Sequence, residues 1–462
     1  MIFTSVDFCL FLVFTLVIYW AIRNRHAQNA FLVIMSYLCY GWIHPWFSML
    51  LLFQSTTDYL GALGMKKYPT QKTLFLGTSL LINIGLLSLF KYFNFFTTNT
   101  SAFLTAIGLT VRPTTLQLLL PAGISFYTFE TISYSLDVYR GNIEPRTNFI
   151  DYSLFIAFFP HLIAGPIQRA GQFLPQLETP RVWKQEFFDE AWPLLIRGYV
   201  EKLVIADNVA VYADKVFMLK TPSLMLLLAG TLSFALQIYA DFMAYTDIAR
   251  GVSLLFGLRL SQNFDSPYLA ISPSDFWRRW HITFSTWVRD YLYIPLGGSR
   301  VNSPLKFAIV ILITMGLSGL WHGAQWHFVI WGLYHGLLLF IYHRLGWGGR
   351  WRPQGIVRTG VAWCAMFGFT LFGWLLFRSP SLHWLVHTLQ TFDVGLNGDS
   401  FISAVTIFLF VAYYSLPLFL WMAIDRALSS HRWIPPVLYG CTAMAIVMLA
   451  PEKGKDFIYF QF

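Results

Sequence analysis

Charge is scarce in this sequence. Only 12% of its residues are Asp, Glu, Lys or Arg, 56% are hydrophobic, and the mean hydropathy is +0.54. A soluble globular chain carries about 25% charged residues, so that class is excluded. Cysteine is sparse too: Cys9, Cys39, Cys364 and Cys441 are scattered through apolar runs, where they act as small hydrophobes and build neither a disulfide nor a zinc framework. The first residues offer no basic n-region and no small-residue cleavage site, which argues against a signal peptide and leaves 6–22 as a membrane span. No Gly-x-Ser-x-Gly nucleophile elbow, internal repeat or low-complexity segment is evident. No polar stretch is long enough for a second domain, so one membrane domain is expected over 1–462, ending in an aromatic tail at 452–462.

What the chain does have is long apolar runs. The expected fold is an all-α polytopic integral membrane protein of roughly ten to twelve spans, some re-entrant, each of about 20 apolar residues. The net charge of +9 needs no nucleic acid to explain it, because cationic residues gather in cytoplasmic loops. Arg23, Arg25 and His26 fill the first loop, and Lys66, Lys67 and Lys72 follow the third span, which puts the N-terminus outside.

Ionisable groups at bilayer depth are costly and mark sites or structural pairs. Pro121-Ala122-Gly123-Ile124-Ser125-Phe126-Tyr127 opens a helix bearing Glu130, Asp137 and Arg140, with Arg140 spaced to pair with Asp137. Phe159-Pro160-His161 and Ala164-Gly165-Pro166 break the next span and are expected to border a cavity. Residues 168–193 are the most soluble stretch, a cytoplasmic amphipathic connection. Asp241 and Asp247 stand within a later helix, and Asn263-Phe264-Asp265-Ser266-Pro267-Tyr268 reads as a loop.

The densest chemistry lies at 275–322. Ser272 is placed to cap a helix with Pro273 at its first position and Asp275 completing a capping box. Steps of three and four then align Trp277, Trp280, Phe284, Trp287 and Tyr291 as an aromatic stripe on a single helix that runs on to Pro295, Gly297 and Gly298. A second face carries Ser274, Arg278, His281, Ser285 and Arg289, suited to line a wet recess. The following span ends at Trp321-His322-Gly323, where Gly319 and Gly323 allow close approach to the imidazole. A histidine can take a proton from an attacking hydroxyl near neutral pH and return it, so general-base catalysis is favoured over a serine nucleophile. His327, His335 and His343 read as interhelical hydrogen-bonding groups. No metal is expected, since the spacings of His281, His322, His327 and His335 match no familiar site.

These segments resemble the membrane-bound O-acyltransferase (MBOAT) family. The likeness rests on Pro121-Ala122-Gly123-Ile124-Ser125-Phe126-Tyr127, Asp137-Val138-Tyr139-Arg140-Gly141, Phe159-Pro160-His161-Leu162-Ile163-Ala164-Gly165-Pro166, Phe276-Trp277-Arg278-Arg279-Trp280-His281 and Gly319-Leu320-Trp321-His322-Gly323. The likeness covers nearly the whole chain. The resemblance implies a helical funnel or tunnel, His322 as catalytic histidine and His281 as its second histidine, with Asp275, Arg278, Arg279 and Trp321 binding substrate or supporting the site. Phe242-Met243-Ala244-Tyr245-Thr246-Asp247 departs from the family's usual Phe-Ser-Gly-Tyr-Ser-Asp, which leaves the polymer substrate open. The tail, Phe457-Ile458-Tyr459-Phe460-Gln461-Phe462, looks like the aromatic C-terminal motif of envelope acylation systems, which makes Tyr459 a candidate acyl relay.

The function so implied is transfer of acetyl from acetyl-CoA, across a bacterial inner membrane, for O-acetylation of an exported polysaccharide. An alginate-type polymer comes first and peptidoglycan next. Acetyl-CoA is the acyl-donor substrate, no cofactor is bound, and a periplasmic SGNH-type acetyltransferase is the expected partner. Teichoic-acid-type D-alanyl transfer is the enzymatic alternative. A secondary transporter would carry repeated halves with broken helices, which the sequence does not show.

Overall fold

The computed structural model describes residues 1–428 other than 43, 164, 302, 392 and 397, with backbone alone from 417 to 428, and beyond them 440, 444, 446, 448–451, 454, 455, 457 and 458. Contacts group the chain into two compact units, Met1–Ala191 with Ala249–Ser261, and Trp192–Ile248 with Gln262–Phe462.

The first unit holds α1 (Val6–Ala21), α2 (Arg25–Gly41), α3 (Pro45–Lys67), α4 (Lys72–Leu87), α5 (Phe93–Ala106), α6 (Ile124–Arg140), α7 (Phe149–Ala157), and the short α8 (Phe159–Leu162) and α9 (Ala170–Phe173). Local chemistry starts several of them: the Ser5 side chain accepts the Phe8 N–H, and that of Asn24 accepts His26 and Ala27. Polar side chains join the helices. Asp58 on α3 accepts two bonds from the Asn83 amide on α4, at 2.8 and 2.9 Å, and Thr131 on α6 donates to the Asn83 oxygen at 2.7 Å. In lipid, where apolar contact adds little between helices, such bonds and close packing drive association. Glu130 meets His161 at 3.3 Å and accepts the Gln168 N–H at 2.6 Å, so the broken segment that follows α7 is tied back to α6.

The returning stretch Ala249–Ser261 is held to this unit by Tyr19 and Trp20, which donate to the Phe256 and Leu255 carbonyls at 2.8 and 3.0 Å, and by the Arg259–Glu190 pair at 2.8 Å. The guanidinium of Arg259 holds the Glu190 carboxyl below the ordinary glutamate range.

A continuous rod begins the second unit: the end of α10 (Gln185–Tyr199), a π-turn over Val200–Ala206, and α11 (Asp207–Phe217). Then come α12 (Leu224–Leu255), α13 (Pro273–Arg279), α14 (Ile282–Val288), α15 (Pro304–His322), α16 (Trp326–Arg344), α17 (Ile356–Arg378), α18 (Leu382–Gln390) and α19 (Gly398–Leu428). Asp247 on α12 takes the Arg197 Nε of α10 at 2.6 Å. The α15–α16 hairpin packs backbone against backbone. A Cβ on Gly319 would strike the Phe328 carbonyl, and one on Gly332 would strike that of Met315.

Among the described residues, five helical runs are long and apolar enough to cross a membrane: Pro69–Ala106, Leu224–Leu255, Pro304–His322, Ile356–Arg378 and Gly398–Leu416. Val6–Ala21 is a shorter apolar helix. The helices α2 and α6 each have 17 residues, and α3 buries the polar Gln54 and Asp58.

Candidate active site

The segment from Ser272 folds differently from the single amphipathic helix that its spacing predicts. Ser272 does cap α13, its Oγ accepting the Asp275 N–H at 3.2 Å. The helix then stops at Arg279, and α14 starts afresh at Ile282. Between them Trp280 is extended and His281 is left-handed, with φ 42° and ψ 56°. A left-handed residue cannot continue a right-handed helix. The break is filled by the loop before it: Asp265 N–H donates to the Arg279 carbonyl at 3.0 Å and Ile282 N–H to the Asn263 carbonyl at 2.9 Å. The aromatic stripe is therefore shared between two short helices.

Asn263 also fixes the His281 ring. Its Oδ1 accepts the Thr283 N–H at 3.2 Å and the Thr283 hydroxyl at 2.7 Å, and lies 3.3 Å from His281 Nδ1. The backbone N–H can only donate, so that atom is the amide oxygen and Nδ1 carries the proton toward it. Nε2 is left as the basic nitrogen. Both residues are buried.

Aromatic rings form the rest of the wall. The His281 ring lies 5.0 Å from Phe284, 4.7 Å from Phe242 on α12 and 6.2 Å from Trp321. His322, at the last turn of α15 and 3% exposed, lies 5.3 Å from the same Phe284, 5.0 Å from Trp321, 5.1 Å from Trp331 and 5.5 Å from Phe377. Thus His281, His322 and Trp321 of the expected site residues come together around Phe284.

Asp275, Arg278 and Arg279 are engaged with one another. The buried Asp275 carboxylate meets Arg279 at 3.2 Å, Arg278 at 3.3 Å and Arg352 at 3.8 Å, and accepts the Ile271 N–H at 3.3 Å. Arg278 also donates to the Gly349 carbonyl at 2.5 Å. The glycines beside His322 serve helix packing: Gly319 admits α16, and a Cβ on Gly323 would overlap the Phe328 ring. His335 sits against Trp331, Trp277 and Phe276 at 4.9, 5.2 and 5.9 Å, and the His343 ring lies tilted against Phe307 at 4.3 Å across the α15–α16 hairpin. Among the described residues no three His, Cys, Asp or Glu side chains converge as metal donors.

Tyr459 lies outside the described residues. Its neighbours reach the same aromatic wall, with the buried Phe457 at 4.1 Å from Tyr245 and 5.9 Å from Phe242. The Ile458 N–H donates to Asp241 at 2.6 Å. Asn263 and Phe242 reach His281 from 18 and 39 residues away, which no local spacing reveals, and Phe284, visible in the aromatic stripe, gains its second role from the distant His322.

Residues 143–377, which include both histidines, match the model of the membrane-bound O-acyltransferase family. The chain is similar to a probable alginate O-acetylase AlgI of Pseudomonas putida, 40% identical over 389 residues that cover 83% of this chain and 78% of that protein. A probable alginate O-acetylase AlgI of Pseudomonas aeruginosa is 40% identical over 391 residues, 83% of this chain and 73% of the relative. A peptidoglycan O-acetyltransferase of Helicobacter pylori is 36% identical over 410 residues, 82% and 76%. With its long apolar helices, its paired histidines and these relatives, the chain is a multi-pass integral membrane enzyme that belongs to the membrane-bound O-acyltransferase family.

Proposed function

We propose that this O-acyltransferase moves acetyl from cytoplasmic acetyl-CoA across a bacterial inner membrane for O-acetylation of an exported polysaccharide, with an alginate-type polymer as the first acceptor. The observation that carries the reading is the shared ring. His281 and His322 both lean on Phe284, and Phe457 of the tail packs on Phe242, which itself borders His281. The acetyl and alginate parts draw support from the relatives named as alginate O-acetylases.

In the first half-reaction His322 acts as general base. It accepts the Tyr459 phenolic proton as the phenolic oxygen attacks the thioester carbonyl of acetyl-CoA. A C–O bond forms, the C–S bond breaks, and the departing CoA thiolate takes the proton back from His322. His281, whose Nδ1 proton is directed at Asn263, offers a lone pair at Nε2. That suits it to orient a hydroxyl rather than to stabilise a negative oxygen. In the second half-reaction a nucleophile of a periplasmic SGNH-type partner attacks the acetyl-tyrosine. A new C–O bond forms, the aryl ester bond breaks, and the phenolate is reprotonated. A phenyl ester is more activated than a sugar ester, so the acetyl group passes downhill from tyrosine to polymer.

The test is the ester content of alginate and of peptidoglycan from cells whose only copy of the protein carries Tyr459→Phe. Loss of acetyl from one polymer supports the relay and identifies the acceptor. Undiminished acetylation of both rejects it.

A further inference from the structure

Three charged residues of the second unit stand outside the reaction just described. Lys202, on the π-turn between α10 and α11, has its side chain 1% exposed, with Nζ 2.8 Å from Asp207 Oδ1 and 2.9 Å from Asp241 Oδ1. A buried ion cluster of this kind ordinarily just locks helices together. Here the count of charges is uneven. One ammonium faces two carboxylates, and each carboxylate has a second oxygen that needs donors in a site closed to water.

Those donors are backbone groups of the C-terminal segment. Asp207 Oδ2 accepts the Lys455 N–H at 3.3 Å, and Asp241 Oδ2 accepts the Ile458 N–H at 2.6 Å. Between them Phe457 is fully buried on Tyr245, at 4.1 Å. The Lys455 ammonium pairs with Asp214 on α11, and the Asn208 amide donates to the Leu449 carbonyl at 3.0 Å. The cluster and the tail complete each other. The carboxylates read the tail's backbone, and a single aromatic side chain between the two bonds sets its register.

We propose that Lys202, Asp207 and Asp241 form a seat that positions the C-terminal segment for acyl transfer. The inference rests on the relay reading of Tyr459, and it adds positioning residues that touch neither donor nor acceptor. Lys202 holds the two carboxylates at the separation the tail requires. Asp241 fixes the residue directly before Tyr459, and Phe457 ties the seat to the histidine wall through Phe242. Holding a reacting segment beside its partner converts a slow search into a near-unimolecular step.

Hydrogen exchange of the full-length protein in detergent, read on the C-terminal peptide, tests the seat. The Ile458 amide is expected to be protected in the wild type and to exchange roughly tenfold faster or more in Asp241→Ala. Asp241→Asn, which keeps an acceptor oxygen, should retain most of the protection. Unchanged protection in Asp241→Ala would overturn the seat. Should that variant fail to assemble, Asp207→Ala reads the same question at the Lys455 amide.

Labelling with radioactive acetyl-CoA supplies the second readout. The positioning role requires that Asp241→Ala lower the maximal labelling rate by about 10²-fold with KM for acetyl-CoA unchanged, and that Asp241→Asn recover it. Lost protection with an unaltered labelling rate would overturn the positioning role. Absence of label from the wild type would instead reject the relay, while the exchange data still decided whether the seat exists.

Discussion

The imidazoles of His281 and His322 rest against one phenyl ring, that of Phe284, at centroid separations of 5.0 and 5.3 Å. They arrive there by different routes. His281 stands at a left-handed break between two short helices, and His322 at the last turn of a long one. In the proposed reaction, Phe284 thereby sets the spacing between the base and the orienting group.

Replacing that ring with a smaller aliphatic side chain tests its positioning role. Phe284→Leu, which removes three carbons from a buried site, should cost about 1–3 kcal/mol of stability. It should slow acetyl transfer by about 10²-fold, because a displacement of about 1 Å at a reacting centre has that effect. Thermal unfolding in detergent and initial labelling rates, measured on one preparation, check both halves.

Asn263 predicts a different pattern. Asn263→Ala removes the acceptor of the Thr283 N–H, the Thr283 hydroxyl and His281 Nδ1 together. Leaving buried donors unsatisfied costs about 1–3 kcal/mol each. A clear drop in unfolding temperature is therefore expected along with slower transfer, whereas His281→Ala should slow transfer with the smaller stability loss.

The hairpin that carries His322 depends on glycine. Gly319→Ala and Gly332→Ala would each press a methyl group into a facing backbone carbonyl and should destabilise the protein by about 1–3 kcal/mol or more. Gly77→Ala, on the open side of α4 with nothing within 4 Å of the added carbon, should instead be neutral or stabilise by up to about 1 kcal/mol. Unfolding curves of the three variants in one detergent make the comparison.

Much of this was legible in the sequence. Scarce charge and long apolar runs announced a polytopic helical protein, and Ser272-Pro273-Ser274-Asp275 announced a helix start that the structure keeps. The break at His281 was hidden because the steps through Trp277, Trp280, Phe284 and Trp287 stay helical in period across it. A single left-handed residue leaves no periodic trace when a distant loop, here Asn263 to Asp265, takes over the backbone bonds. The spacing of Gly319 and Gly323 suggests openings toward the imidazole, yet both are filled by α16. Likewise spacing places Glu130 on one helix with Asp137 and Arg140, whereas it meets His161, brought in by a turn that periodicity cannot place.

The central claim is that His322 drives acetyl transfer to the protein's own tail. Purified full-length enzyme incubated with radiolabelled acetyl-CoA should acquire base-labile label that maps to Tyr459, and His322→Ala, folded as judged by its unfolding curve, should acquire none. Label on Tyr459 that persists at the wild-type rate in His322→Ala would contradict the account.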